Sequence, residues 1–129
     1  MQDSSLIYSP IGGAGEIGMN MYVYGFKKRD KISYIMVDAG VAFPKMDSEP
    51  GVDLIFPNPK LILNNLRDLE GIFITHAHED HLGAIGFIAS KIECKIFCRK
   101  FTAAIVKDKL KKVNVSDKRV VIVKEWPFE

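Results

Sequence analysis

The chain has 129 residues, a length that suits one compact domain or part of a larger one. With 47% hydrophobic and 26% charged residues it has the means to bury a core, which excludes a disordered chain. Eighteen Lys and Arg against sixteen Asp and Glu is too mild an excess to argue for a nucleic-acid partner, although composition is blind to a local basic groove.

The chain opens on Met1-Gln2-Asp3-Ser4-Ser5, without the basic start and apolar core of a signal peptide. No apolar run approaches the roughly 20 residues of a membrane span. A cytoplasmic protein with no membrane partner is therefore expected. Leu6-Ile7-Tyr8 reads as a short strand running into Gly12-Gly13-Ala14-Gly15. Met19 to Phe26 and Lys31 to Val37, rich in Tyr, Val and Ile, read as two strands, and the polar Lys27-Lys28-Arg29-Asp30 between them predicts a hairpin. Residues 39–58 form a long connection punctuated by Gly40, Pro44, Pro50, Gly51 and Pro57, the kind of loop that lies over a site. Asn58-Pro59 predicts an N-cap and a short helix through about Asn65.

Gly71-Ile72-Phe73-Ile74-Thr75 is a continuous apolar run, as expected of a strand covered on both faces. Leu82 to Ser90 reads as a buried helix in which Gly83 and Gly86 permit close packing. A strand at Cys94 to Cys98 follows, then an amphipathic helix from Phe101 to Lys112 with Ala103, Val106, Leu110 and Val113 on one stripe. Arg119 to Lys124 reads as a last strand. Strands first, then alternating helix and strand, predict a layered α/β fold: a mixed sheet with helices on one face.

Two motifs invite functional readings that fail on physical grounds. Gly13-Ala14-Gly15-Glu16-Ile17-Gly18 matches the dinucleotide fingerprint, with Asp38 near the spacing of the ribose-binding acid. That motif needs a helix N-terminus after the glycines to face a pyrophosphate. Met19-Asn20-Met21-Tyr22-Val23-Tyr24 reads as a strand, so a tight strand-to-strand turn is expected. Cys94 and Cys98 would lie about 13 Å apart on a strand, beyond the reach of a disulfide. They read as free thiols on one strand face rather than as metal ligands.

The strong signal is Thr75-His76-Ala77-His78-Glu79-Asp80-His81, directly after an apolar strand. Neutral imidazole and carboxylate are ligands of choice for zinc. In extended backbone His76 and His78 point to the same side. Asp80 and His81 can then turn toward a neighbouring ion as the chain enters a helix, so one loop can supply two adjacent metals. A solvated polar loop is the plain alternative. It sits poorly with all three histidines of the chain falling within six residues, beside an aspartate.

This loop resembles the signature of the metallo-beta-lactamase superfamily. Together with Gly12 to Asn20, Val37-Asp38-Ala39-Gly40, Pro50-Gly51-Val52-Asp53 and Leu82-Gly83-Ala84-Ile85, in this order and spacing, it resembles ribonuclease J, in the beta-CASP branch. The resemblance implies the N-terminal half of an αββα sandwich that acts on RNA with two zinc ions. By position, His76 and His78 would bind one zinc. Asp80 and His81 would bind the other and are the candidate catalytic residues. Asp38 would orient a ligand or loop from behind, or else cap the corner at Ala39-Gly40. Gly51 and Asp53 resemble a segment that holds a structural cation such as calcium, though Asp53 equally suits a turn cap.

The resemblance further implies two more histidines and a bridging aspartate from later in the chain, and no histidine follows His81. Residues 1–129 are thus expected to be a partial domain that alone binds zinc weakly and hydrolyses little. The second half of the domain, the beta-CASP domain and the C-terminal domain would lie elsewhere. The uncovered face of a half-sandwich would favour a homo-oligomer or association with the missing portion. The same fold would also serve a thioester, lactone or lactam hydrolase, or a non-catalytic remnant that only binds a partner chain.

Overall fold

The computed structural model describes residues 4–45, 47–65 and 69–124. Six strands form one sheet whose spatial order follows the chain: β1 (Ser4–Gly12), β2 (Met21–Lys28), β3 (Lys31–Val37), β4 (Leu69–Phe73), β5 (Lys95–Cys98) and β6 (Val120–Ile122). The first three strands form an antiparallel meander, and β3 to β6 run parallel. At the β2–β3 hairpin, Lys28 pairs with Lys31, leaving Arg29-Asp30 as a two-residue turn with Arg29 at a left-handed φ of 54°.

Parallel neighbours need crossovers, and these carry the helices. Helix α1 (Lys60–Asn65) precedes β4, α2 (Glu79–Leu82) and α3 (Ile85–Ala89) join β4 to β5, and α4 (Lys100–Lys112) with a 3₁₀ turn at Asp117–Arg119 joins β5 to β6. Crossovers of one hand that step across a sheet in one direction stack their helices on one face. That face holds the core. Val23, Met36, Ile72, Ile96 and Val120 are successive register partners across five strands. Leu82, Ile85 and Ile88 cover them from α2 and α3, and Val106 and Leu110 from α4, all five completely buried. Each such side chain contributes about 1.5–3 kcal/mol through removal from water. Among the described residues no helix is long and apolar enough to cross a membrane.

The opposite face is also apolar. Tyr22, Val37, Phe73, Phe97 and Val121 form one cross-strand row, and Tyr8, Tyr24 and Ile35 form the next. Phe73 and Phe97 stack with centroids 4.8 Å apart. This face stays open, with Leu6 82% and Phe26 48% exposed, as a half-sandwich predicts.

Several elements differ from the sequence reading. The helix expected over Leu82 to Ser90 is two short helices. Gly83 N–H still bonds the Glu79 carbonyl at 2.8 Å, but Ala84 N–H turns away to the Ala39 carbonyl, also at 2.8 Å, and the ladder breaks. Phe87 in the second piece is exposed and stacks on Phe56 at 5.0 Å instead of entering the core. Val113 leaves the buried stripe because α4 ends in a Schellman turn. Asn114 is left-handed, its N–H bonds the Lys111 carbonyl, and Val115 N–H bonds that of Leu110. The thiols are free as expected, yet Cys94 precedes the strand and is only half-buried. Burial pushes the Cys98 thiol up to about 11, as for an inert buried thiol.

The sequence pattern places Arg119 in β6, but it stands in the 3₁₀ turn before that strand. There its guanidinium donates to the carbonyls of Cys94 at 2.8 Å, Ala89 at 2.8 Å and Ile92 at 2.5 Å, stapling the α3–β5 connection. The fork geometry is specific to arginine. Arg119→Ala should cost about 1.5–3 kcal/mol in urea unfolding, and Arg119→Lys should recover less than half of that. Equal stability of the Lys variant and the parent would rule the staple out.

Candidate metal centre

Parallel pairing of β3 with β4 sets their carboxyl ends side by side, with Asp38 N–H on the Phe73 carbonyl at 2.8 Å. Asp38 follows β3, and Thr75 leads β4 into the histidine loop. Asp38 is 3% exposed and takes a left-handed φ of 63°, which Asp tolerates better than most residues. Its Oδ1 accepts from Thr75 N–H at 2.8 Å, and its carboxyl group also accepts the Thr75 hydroxyl at 2.9–3.0 Å. Its Oδ2 lies 2.7 Å from His81 Nδ1. Asp38 thus hydrogen-bonds both a histidine and the backbone that leads into its loop.

This network assigns the tautomers. His81 donates through Nδ1–H to Asp38, which leaves Nε2 as the acceptor nitrogen, 3.3 Å from Asn20 Nδ2. The Thr75 hydroxyl proton is used on Asp38, so its oxygen accepts from His76 Nδ1 at 2.9 Å, and His76 Nε2 is left as the acceptor nitrogen. Within the loop, His76 Nε2 and His78 Nδ1 are 3.2 Å apart, and His81 Nε2 and Asp80 Oδ2 are 3.4 Å apart. Two ligands about 2.0–2.1 Å from a tetrahedral zinc stand about 3.3 Å from each other. Each pair thus spans one edge of such a coordination sphere, and the donor set fits the ion. The donors stand as two pairs, and among the described residues no three His, Cys, Asp or Glu side chains enclose a single point.

The loop backbone is held as tightly as its side chains. Helix α2 begins at Glu79, with His78 extended before it, and segments 19–20 and 38–41 lie along its carbonyls. Val41 N–H bonds the Glu79 carbonyl at 3.1 Å, Asn20 N–H that of Asp80 at 3.0 Å, and Ala39 N–H that of His81 at 2.8 Å. Gly40 is required by the closeness of this approach, since a Cβ there would fall 1.6 Å from the Asp80 carbonyl oxygen. Lys109 on α4 pairs with Glu79 at 2.9 Å and ties the loop to the helical layer.

Two contributors were missed by sequence reasoning, Thr75 and Asn20. Tyr22 donates its hydroxyl to Asn20 Oδ1 at 2.9 Å, which turns the Asn20 Nδ2 toward the Asp80 carbonyl at 3.1 Å and His81 Nε2 at 3.3 Å. Burial and the nearby Tyr8, Asp38, Tyr24 and Glu16 raise the Tyr22 pKa, keeping its donor proton in place. The only available signals were the positions of Asn20 and Thr75 inside the motifs. Gly51 and Asp53 remain exposed, Gly51 with a left-handed φ of 80°, and among the described residues no hydrogen bond or ion pair engages Asp53. The Gly13–Gly18 stretch is a turn-rich loop that leads into β2, not a helix start.

Residues 18–128 match the family model described as Metallo-beta-lactamase superfamily. The chain belongs to that superfamily. Among curated relatives, Ribonuclease J of Sinorhizobium meliloti is 42% identical over 108 residues, 84% of this chain and 19% of that protein. Ribonuclease J 2 of Staphylococcus aureus strain MRSA252 is 37% identical over 111 residues, 86% of this chain and again 19% of the relative. The chain thus spans about a fifth of the length of these relatives. A solved structure, the peroxy diiron species of chemotaxis sensor ODP, shares the fold at a TM-score of 0.50 and 15% identity, covering 95% of this chain and 43% of that one. Metal binding is general in the metallo-beta-lactamase superfamily, and His76, His78, Asp80 and His81 are the donors this chain brings together.

Two substitutions test the frame. Asp38→Asn keeps the size and the left-handed backbone but turns an N–H₂ on one of its donors. It should cost about 2 kcal/mol and shift His81 toward the Nε2–H tautomer, read by imidazole ¹⁵N NMR. An unchanged Nδ1–H signal would remove Asp38 from this role. Gly40→Ala should lose at least about 3 kcal/mol or fail to fold, checked by thermal unfolding, and wild-type stability would contradict the close approach.

Proposed function

We propose that this chain is part of a metal-dependent ribonuclease of the ribonuclease J kind, which hydrolyses RNA phosphodiesters at a two-zinc centre. One observation supports the reading: two donor pairs, each about one zinc-ligand edge apart, with His76 and His81 bonded through Nδ1 to Thr75 and Asp38 so that each Nε2 is turned toward the other donor of its pair. His76 with His78 holds one ion, and Asp80 with His81 the other. Zinc supplies Lewis acidity at such a centre, lowering the pKa of water and offsetting negative charge that grows on a phosphoryl group. The choice of RNA rests on the likeness to proteins named Ribonuclease J.

Each pair gives two of the four ligands that zinc takes, and all three histidines of the chain are then used. In this reading the remaining ligands come from another portion of a longer protein, and the chain alone binds zinc weakly and hydrolyses little. Asp38 and Asn20 hold Asp80 and His81 in place without touching the substrate.

Zinc titration of the purified chain against a chromogenic chelator tests the site directly. His76→Ala and Asp80→Ala should each remove one class of bound zinc, and Asp38→Ala should weaken binding about 10–100-fold. In a full-length protein bearing this segment, His76→Ala should abolish cleavage of 5′-monophosphorylated RNA. Retained cleavage, or turnover of thioester or lactam substrates with RNA untouched, would overturn the reading.

A further inference from the structure

We infer that the carboxyl edge of β5 and β6 is a track for single-stranded RNA, with Arg99, Lys100 and Lys124 holding phosphates and Phe101 stacking on a base. The choice of RNA over other polyanions rests on the ribonuclease reading, whereas the track itself rests on the position, charge and exposure of these four residues.

Strands β4, β5 and β6 are parallel and in register, so the segments leaving them emerge side by side. The ladder persists past the strand ends, with Ile74 N–H on the Phe97 carbonyl and Val123 N–H on that of Cys98, both at 2.9 Å. The histidine loop leaves β4, Arg99-Lys100 leaves β5, and Lys124 follows β6. At about 4.8 Å per strand, the whole row spans about 10 Å beside the metal ligands.

The row is a groove of about 420 Å³ lined by Arg99, Lys100, Ile122, Val123 and Lys124. Its floor is aliphatic and its rim is cationic. Among the described residues no carboxylate pairs with Arg99, Lys100 or Lys124, and the one bond there is a long one, Arg99 to the Lys124 carbonyl at 3.4 Å. Lys109 and Lys112 on α4, by contrast, are neutralised by Glu79 and Asp108. Among the described residues, then, three positive charges without a carboxylate partner stand together on one edge.

The aromatic completes the pattern. Phe101, next after Lys100 on the first turn of α4, is 74% exposed. Folding gains nothing from a phenyl ring left in water. Beside a row of cations, a free ring face is a stacking platform for an unpaired base. A duplex hides its base faces, so cations with one exposed ring favour a single strand.

The test is fluorescence anisotropy of the full chain with a fluorescein-labelled 12-mer of oligouridylate, in EDTA, from 50 to 200 mM KCl. The combined variant Arg99→Gln, Lys100→Gln, Lys124→Gln should weaken binding at least tenfold and flatten the log–log salt slope by about 0.7 for each phosphate no longer neutralised. Phe101→Ala should weaken it roughly tenfold with the slope unchanged, and Phe101→Trp should restore it. Removing equal charge at the opposite edge, with Lys27→Gln, Lys28→Gln and Lys31→Gln, should change little. The inference is overturned if the chain does not bind the RNA, or if the opposite-edge variant weakens binding as much. It is also overturned if Phe101→Ala abolishes self-association in a chain with no RNA affinity, which would make the patch a protein interface. Because the assay excludes metal, a track that binds RNA in a full-length protein that fails to cleave it would sink the proposed function alone.

Discussion

Everything at this centre depends on one buried carboxyl group. Asp38 is nearly sealed from solvent, and such a group is stable only where donors surround it. Thr75 gives two and His81 a third. The same three bonds that offset the burial of Asp38 fix a backbone, a hydroxyl rotor and an imidazole. Through Thr75 the constraint reaches His76, so one carboxyl group sets which nitrogen carries the proton on two rings.

That role is possible because of sheet topology. Asp38 and Thr75 are 37 residues apart in sequence, yet they are neighbours because β3 and β4 run parallel and end level. An antiparallel pair would put one at each end of the sheet. Parallel order also sends every crossover helix to one face, where α2 is held by segments 19–20 and 38–41 rather than by its own length. A four-residue helix has little stability of its own. Here its carbonyls are taken up by Asn20, Ala39 and Val41, so the fold rather than local propensity keeps Asp80 and His81 in position.

The sequence made some of this legible and hid the rest for physical reasons. Strands β2 to β5, the β2–β3 hairpin and the long helix α4 are readable within about two residues of their true bounds, because burial dictates their patterns locally. Strand β1, by contrast, runs from Ser4 to Gly12, well beyond Leu6 to Tyr8. The metal donors stand out because three histidines and an aspartate within six residues serve few purposes. The break at Gly83-Ala84 is not legible, since the bond that causes it runs to Ala39, 45 residues away. Arg119 looks like a strand residue because nothing local reveals that its guanidinium meets three carbonyls of an earlier loop. The basic track is invisible for the same reason: Arg99 and Lys124 become neighbours only through the β5–β6 pairing, while whole-chain composition averages them against distant acids.

The two faces of the sheet have different standing. The helix-covered face carries the buried row from Val23 to Val120 and, at its carboxyl end, the Asp38 bonds that shape the donors. The open face carries Leu6, Tyr24, Phe26 and the Tyr22-to-Val121 row, yet only Tyr22 reaches the centre, through Asn20. The donor pairs are therefore set mainly by the closed half, with Tyr22 acting through Asn20 from the other side. Anything that packs on the open face would meet a centre already shaped, and would have to supply further ligands across the carboxyl edge. Covering that face would remove exposed aromatic surface from water, a gain that grows with area and needs no rearrangement of the histidines. In the proposed reading, folding of this half and completion of the site are separable steps, linked through Tyr22, the open-face tyrosine that bonds Asn20.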